Sequence, residues 1–224
     1  MAEHTELLPE PLPAEPMTLA RDWLSRAVRA AHQPNPNAMI LATATPDGRP
    51  SARVVLCKDI EPTQGYIVFY TNYESRKGRE LLANGRAAVV LHWDHLHRQI
   101  RMEGHVVKAS AAESDTYFAS RAVESRIGAW ASQQSQPVGS RAELLRAVEE
   151  TRQRLGVNER SAGKDTYVPR PPHWGGFRLW ADTVELWCEG AARIHDRARW
   201  TRTLTARSDD HFDAGPWTAT RLQP

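Results

Sequence analysis

Ala38-Met-Ile-Leu-Ala-Thr-Ala-Thr45, the turn Pro46-Asp-Gly48 and Ser51-Ala-Arg-Val-Val-Leu-Cys-Lys58 form the stretch on which the fold class turns. Two runs of apolar and β-branched residues flank a Pro-Asp-Gly turn, the pattern of an antiparallel hairpin. Side chains alternate along a strand, so Arg53, Val55 and Cys57 share one face while Val54, Leu56 and Lys58 share the other. Upstream, Thr18 to His32 predicts a helix capped by Thr18, with Leu19, Trp23, Ala27, Ala30 and Ala31 as its apolar stripe. Asn35-Pro36-Asn37 ends it.

Downstream, Tyr66 to Thr71 is a further strand. Ser75 caps a short helix through Leu82, which Asn84-Gly85 stops. Ala87–Trp93 and Gln99–Ala109 form another antiparallel pair. Ser110-Ala-Ala-Glu113 is a capping box that opens a helix carrying Tyr117 and Arg121. Ser140-Arg-Ala-Glu143 is a second box, followed by Leu144, Leu145, Val148 and Leu155 at helical spacing. Gly156 to Pro172 reads as a loop. The chain closes with β-type runs at Gly176–Trp180, Val184–Trp187, Arg193–Thr203 and Trp217–Leu222. Hairpins with inserted helices predict an α+β chain, mainly β, built around an antiparallel barrel. Residues 17–224 are expected to form one domain, preceded by a flexible or surface-draped segment, 1–16.

The 224 residues carry a formal charge of only +2, which gives no reason to expect a nucleic-acid partner. Lysine occurs only at Lys58, Lys77, Lys108 and Lys164, so arginine supplies nearly all the cations; arginine suits bidentate contacts to phosphate. Arginine-favouring codon usage would produce the same bias. Cys57 and Cys188 are too few for a disulfide framework. Met1 to Pro16 lacks the basic and apolar regions of a signal peptide, and no apolar run approaches a membrane span. The expectation is a soluble, cytoplasmic protein.

The dinucleotide fingerprint, the P-loop, the G-x-S-x-G elbow and H-E-x-x-H are all absent from the sequence. His92, His95 and His97 crowd one hairpin end. His92 faces away from the other two on a strand, so no metal site is expected. Arg53, Lys58, Arg76 and Lys77 flank β-type runs, and Ser75-Arg76-Lys77 opens a helix. That set fits either a phosphate seat or a solvated charged turn. Arg193, His195 and Arg197 alternate onto one strand face, an arrangement that favours an anionic ligand or else guards an exposed edge. Trp187 offers an aromatic wall nearby. Trp174-Gly175-Gly176 lets the main chain turn sharply or approach a ligand closely.

Taken in order, Asn37-Ala-Met-Ile-Leu-Ala-Thr43, Arg53-Val-Val-Leu-Cys-Lys58, Phe69-Tyr-Thr-Asn72, Glu74-Ser-Arg-Lys-Gly78, Arg98-Gln99, Tyr117-Phe-Ala-Ser-Arg121, Ile127-Gly-Ala-Trp130, Gln134-Ser135, Trp174-Gly-Gly176, Glu185-Leu-Trp187, Arg193-Ile-His-Asp-Arg197 and Arg221-Leu-Gln-Pro224 resemble the pyridoxamine 5'-phosphate oxidase family. The resemblance runs from about Pro16 to Pro224. It implies a homodimeric FMN-binding split barrel that oxidises pyridoxamine or pyridoxine 5'-phosphate to pyridoxal 5'-phosphate, with dioxygen as acceptor. By the same resemblance, Arg53, Val54, Val55, Leu56, Cys57, Lys58, Tyr70, Thr71, Arg76 and Lys77 surround the flavin. Gln99, Gln134, Ser135, Trp187 and Arg197 complete its site, some from the partner subunit. Lys58, Tyr117, Arg121 and Ser125 match the substrate-phosphate positions, and Arg193 with His195 match those at the reacting carbon. One departure is visible: residues 1–16 contain neither arginine nor tyrosine, so the Arg-x-x-Tyr lid common in the family is missing or built differently. A related flavin oxidase of phenazine biosynthesis and a non-catalytic flavin- or pyridoxal-phosphate-binding barrel are the alternatives.

Overall fold

The computed structural model describes residues 6–157 and 166–224. Part of the loop expected between Gly156 and Pro172, and the first five residues of the N-terminal segment, lie outside the described residues. The elements are α1 (Met17–Ala30), β1 (Ala38–Ala44), β2 (Pro50–Leu56), β3 (Asp59–Glu61), β4 (Tyr66–Asn72), α2 (Arg76–Asn84), β5 (Arg86–Trp93), β6 (Arg98–Lys108), α3 (Ala111–Ser120), α4 (Val123–Ala131), α5 (Arg141–Arg154), β7 (Trp174–Cys188), β8 (Asp196–Thr201), β9 (Leu204–Ser208), β10 (His211–Ala214) and β11 (Thr218–Leu222).

The hairpin that opens the barrel forms as expected. β1 and β2 pair without interruption from Ala38↔Leu56 to Ala44↔Pro50. Gly48 takes φ 84° in the turn, where Gly48 N–H donates to Thr45 O at 2.8 Å. The predicted alternation also holds: Cys57 is buried and Val55 packs on the core, while Val54 is exposed.

β7 organises the sheet. Residues 177–188 pair with β6 on one edge. The other edge is divided: β4 takes residues 174–180 and β8 takes residues 183–188. Two runs expected as separate strands, Gly176–Trp180 and Val184–Trp187, are therefore one 15-residue strand. Asp182 between them is taken up by a bulge opposite Glu103 and Gly104. From this axis the sheet runs β11-β8-β7-β6-β5-β1-β2, with β4 and β3 branching from β7. The result is the curled, antiparallel half-barrel with surrounding helices that the sequence predicted.

The barrel core holds Leu41, Phe69, Leu91, Trp93, Ile100, Leu186 and Trp200, closed on one side by Met17, Ala20, Trp23 and Ala27 of α1. Trp93 and Trp200 are wholly buried, yet their indole N–H groups donate to Pro36 O at 2.6 Å and Pro13 O at 2.9 Å. No polar cost offsets their burial. The cap of α1 differs from expectation. The helix starts one residue earlier, and Glu15, not Thr18, accepts from Met17 N–H at 2.8 Å. Ala30 and Ala31 are exposed, because the chain leaves the helix at Ala31, whose φ is 51°.

Helices α3 to α5 form a second apolar cluster around Phe118, Val123, Ile127 and Trp174. The Ser110/Glu113 capping box forms in full. In the second box Ser140 caps Glu143 N–H, but Glu143 reaches back to Gly139 N–H in place of Ser140. Residues 6–16, expected to be flexible or draped, lie over β8 and β11 with specific anchors: Leu8 is buried, and its N–H donates to Asp196 Oδ2 at 2.8 Å. Among the described residues no helix is long and apolar enough to cross a membrane.

Candidate functional site

The first group of site residues gathers at the start of α2. Ser75 is extended and its hydroxyl accepts from Gly78 N–H at 3.2 Å, which turns the helix N-terminus toward β4. Arg53 reaches across from β2 and donates to Leu41 O at 3.1 Å and Thr43 Oγ1 at 2.6 Å. Glu80 ties the group together. It accepts from Arg76 Nε at 2.9 Å and Ser51 Oγ at 2.6 Å, lies 3.4 Å from Arg53 Nη2, and also takes the Thr43 hydroxyl. Burial alone would raise its carboxyl pKa. The hydrogen bonds from Ser51, Thr43 and Arg76 more than reverse that and hold it down to about 2.

Lys77 is different. Its ammonium donates to Gln134 Oε1 at 2.7 Å, Thr71 Oγ1 at 3.0 Å and Ser75 Oγ at 3.2 Å, all neutral acceptors. Burial, and then the nearby Arg53, push it down to about 8. Arg53, Arg76 and Lys77 against the single carboxylate of Glu80 leave two positive charges unmatched. A dianionic phosphate at this helix start supplies the missing counter-charge. The residues present therefore fit the phosphate end of FMN.

The second group lies across β4 from the first: Tyr70 and Thr71 are consecutive on the strand, so their side chains point to opposite faces. Tyr70 stacks on Tyr117 of α3 with ring centroids 3.9 Å apart, and on Trp174 at 5.5 Å. Arg121 sits with Cζ 4.6 Å from the Trp174 ring centroid, and Lys58 Nζ lies 5.5 Å from that of Tyr117. Burial lowers the Arg121 pKa, and its Nη1 is buried without a hydrogen-bond partner. Arg121 is not on the helix with Tyr117, as the sequence suggested; it is the extended residue that ends α3. Ser125 is exposed on α4. A surface hollow of about 470 Å³ opens here, lined by Tyr70, Glu113, Thr116, Tyr117 and Ser120. A buried guanidinium nitrogen with nothing to bind, over an aromatic stack, suits an aromatic ligand that bears an anion.

The two glycines after Trp174 serve this stack. A Cβ on Gly175 would lie 2.0 Å from Tyr73 Oη, and one on Gly176 would lie 2.8 Å from Tyr70 Cε1. They do not turn the chain, as their sequence pattern had allowed; they leave room against β7 for the Tyr73 hydroxyl and the Tyr70 ring.

The third group sits at the far end of β7. Gln99 pairs with Trp187 across the ladder. The His195 ring lies 4.7 Å from Trp187, and its Nδ1 accepts from Gly190 N–H at 3.2 Å. Arg197 makes a forked contact to Glu185 at 3.0 and 2.8 Å and donates to Gln223 O at 3.0 Å. The expected alternation of Arg193, His195 and Arg197 on one strand face does not occur. β8 begins only at Asp196, and the last ladder pair is Cys188↔Asp196. Arg193 belongs to a tight turn, with φ 53° at Ala192 and 64° at Arg193. Its side chain is exposed, with no ion pair among the described residues.

Of the run Arg53–Lys58, the side-chain cations Arg53 and Lys58 reach the first two groups. Val55 and Cys57 turn into the core, where burial pushes the Cys57 thiol up to about 12. Leu56 is half-buried. Ser135 is exposed beside Gln134, with φ 74°. The histidines of the 92–97 turn separate: His95 stacks on His32 at 4.6 Å, and His97 pairs with Glu189. Among the described residues no three His, Cys, Asp or Glu side chains gather to hold a metal. Sequence reasoning missed Glu80. Its spacing of four from Arg76 was a readable signal, but its contacts to Thr43 and Ser51 cross between strands.

Along β7, Trp187 of the third group and Gly176 beside the tyrosine stack are separated by roughly 35 Å of strand, at about 3.3 Å per residue.

Comparison with known proteins bears on this arrangement. Residues 24–155 match the family described as pyridoxamine 5'-phosphate oxidase, and residues 174–224 match the C-terminal dimerisation region of pyridoxine 5'-phosphate oxidase. The chain is 50% identical over 192 residues to a pyridoxine/pyridoxamine 5'-phosphate oxidase of Paracoccus denitrificans, covering 84% of this chain and 82% of the relative. It is 47% identical over 214 residues to that of Rhodospirillum rubrum, covering 94% and 96%. Among solved structures, PhzG from Burkholderia lata 383, in complex with tetrahydrophenazine-1-carboxylic acid, is 34% identical with a TM-score of 0.78, covering 95% of this chain and 94% of that one. A pyridoxamine 5'-phosphate oxidase-related, FMN-binding protein from Nostoc punctiforme shares the fold at 15% identity, with a TM-score of 0.66 and coverage of 93% and 97%.

Proposed function

The chain belongs to the pyridoxamine 5'-phosphate oxidase family, and from that premise we propose that it is a homodimeric FMN enzyme that oxidises pyridoxine or pyridoxamine 5'-phosphate to pyridoxal 5'-phosphate. The observation that carries this reading is the pair of cation sets that flank β4: Lys77 with Arg53 and Arg76 on one face, Arg121 with Lys58 over the tyrosine stack on the other. A flavin phosphate and a substrate phosphate need two separate seats.

FMN, held by the residues named next, would supply a two-electron acceptor for oxidation at the substrate's C4' carbon, with dioxygen as the final oxidant and hydrogen peroxide as its product. Everything else falls to the protein. Arg53, Thr71, Arg76, Lys77 and Gln134 hold the cofactor phosphate. Lys58, Tyr117, Arg121 and Ser125 hold the substrate phosphate, and the flat face of Tyr117 excludes water from one side. Arg193 and His195 orient the reacting end of the substrate, and Trp187, Gln99 and Arg197 close the cofactor site. The second set stands at the other end of β7 from the tyrosine stack, and we assign it to the partner protomer. Holding substrate and cofactor in one geometry is where such positioning gains rate.

The test is a visible spectrum followed by anaerobic addition of pyridoxine 5'-phosphate. The expected result is a yellow protein that bleaches with substrate and recovers its colour in air. A colourless protein that takes up no FMN overturns the reading. A second reading, a phenazine-type flavin oxidase, draws on the likeness to PhzG and on the absence of arginine and tyrosine from residues 1–16. It predicts a yellow protein that no B6 phosphate bleaches, whereas the unpartnered Arg121 over Trp174 favours the phosphorylated substrate.

A further inference from the structure

We infer that Asp196 is a positioning residue: its carboxylate clamps the beginning and the end of the chain against the strand start that follows His195, and so fixes the connection carrying Arg193 and His195. This rests on the role proposed above for those two residues.

The connection needs an external hold. Residues 190–195 have no ladder partner: pairing with β8 stops at Cys188↔Asp196, and on the entry side the last hold is Glu189 N–H donating to His97 O at 3.0 Å. Ala191, Ala192, Arg193 and Ile194 are all exposed. Two successive non-glycine residues, Ala192 and Arg193, sit in the left-handed region at φ 53° and 64°. Such a conformation persists only where the surroundings impose it. The turn is also very tight: a Cβ on Gly190 would lie 1.7 Å from Ile194 O. Its internal bonds are few, Ile194 N–H to Ala191 O at 3.0 Å and Gly190 N–H to His195 Nδ1 at 3.2 Å.

Asp196 is the first fixed point after the turn. Oδ2 accepts from Leu8 N–H at 2.8 Å, and Oδ1 pairs with Arg221 Nη1. Arg221 Nη2 then reaches Glu10 Oε2 at 2.7 Å and Pro9 O at 3.3 Å. Leu8 is 5% exposed, so little water reaches its N–H, and the carboxylate satisfies it. Strand β8 has other holds besides this clasp. β8 already has β7 on one edge and β11 on the other, and Trp200 is buried whole. Arg197 is held separately by its fork to Glu185. What the clasp adds is a fixed exit for the turn. The N-terminal segment, which lacks the arginine and tyrosine of a lid, thus acts on the reactive turn from behind.

The test uses full-length Asp196→Ala, Arg221→Ala and the double variant, each loaded with FMN. Asp196→Ala is expected to lower kcat per bound flavin by about tenfold to a hundredfold while FMN affinity stays within about threefold of the parent. The double variant is expected to be no worse than Asp196→Ala, because both substitutions break one clasp. In hydrogen exchange, the Leu8 amide and those of residues 190–196 should exchange at least about tenfold faster, with residues 176–187 of β7 unchanged. Unchanged exchange in the turn, an unchanged kcat per bound flavin, or additive losses overturn the inference. Should Asp196→Ala not fold, Arg221→Ala alone carries the test, since it breaks the ion pair and leaves the carboxylate in place. If the parent protein binds FMN but oxidises neither B6 phosphate, it is the functional proposal that falls, and the exchange measurement decides the clasp on its own.

Discussion

The two ends of β7 are built on opposite plans. Near Trp174 the site residues stand on regular elements and are tied down before any ligand arrives. Arg53, Arg76 and Glu80 form one hydrogen-bonded unit, Lys77 has three acceptors, and Tyr70, Tyr117 and Trp174 stack flat. Near Cys188, Arg193, to which the proposed function gives the role closest to the chemistry, stands exposed on a left-handed turn. The difference follows from what each end has to hold. A phosphate seat gains affinity from cations already in place, because little freedom is lost on binding. In the proposed dimer, the partner and not its own core would complete the surroundings of Arg193.

Three substitutions or conditions would sharpen or break this contrast. Arg193→Ala is expected to have the largest effect, lowering kcat/KM by about a hundredfold to a thousandfold while bound flavin and thermal midpoint stay as in the parent. Loss of flavin in that variant, measured by its visible absorbance, would mean that the two ends are not separable. Lys77→Met should weaken FMN by about tenfold to a hundredfold, the worth of one charge-assisted hydrogen bond, without weakening riboflavin, which has no phosphate. Fluorescence titration with the two flavins reads this directly, and equal losses would place the phosphate elsewhere.

The smallest effect is a pH dependence. Lys77 is held down to about 8 in the free protein, below the 10.5 of an unperturbed lysine. A phosphate beside it favours the ammonium, so FMN binding takes up a proton and weakens as pH rises through about 8. The fall should be shallower than about tenfold per pH unit. Stability of the free protein carries the opposite sign. Between about 8 and 10.5 the unfolded chain binds more protons at this lysine than the folded one, so the Lys77 contribution to stability increases with pH. Lys77→Arg should remove both trends, checked by titrating FMN and by urea unfolding from pH 7 to 10.

The contrast also explains where sequence reasoning succeeded. Short-range chemistry announced itself: the Pro46-Asp47-Gly48 hairpin, the Ser75 cap and the Ser110/Glu113 box all form as read. Helix α4 was not anticipated as a separate element. Its N-cap, Ala122, makes no side-chain bond, and it is held by burial of Val123, Arg126 and Ile127. The hairpin of β9 and β10 was missed for a related reason, being polar around Ser208, Asp209 and Asp210 and packed through Leu204, His211 and Phe212 against Trp180. At the third group the alternation of Arg193, His195 and Arg197 misled, because period two carries no sign of where the ladder stops.

Local pattern was enough for an antiparallel, mainly β chain with inserted helices and for two sets of cations, since alternation, turn chemistry and caps act over a few residues. The ordered run of motifs was enough for the family. Three-dimensional packing set the rest. It made β7 one strand with a divided edge and placed Glu80 among three elements. It also drew Leu8 and Arg221 onto Asp196, 188 and 25 residues away. Contacts of that span are made by burial and pairing between distant segments, and a linear pattern contains no record of which distant segment a residue will meet.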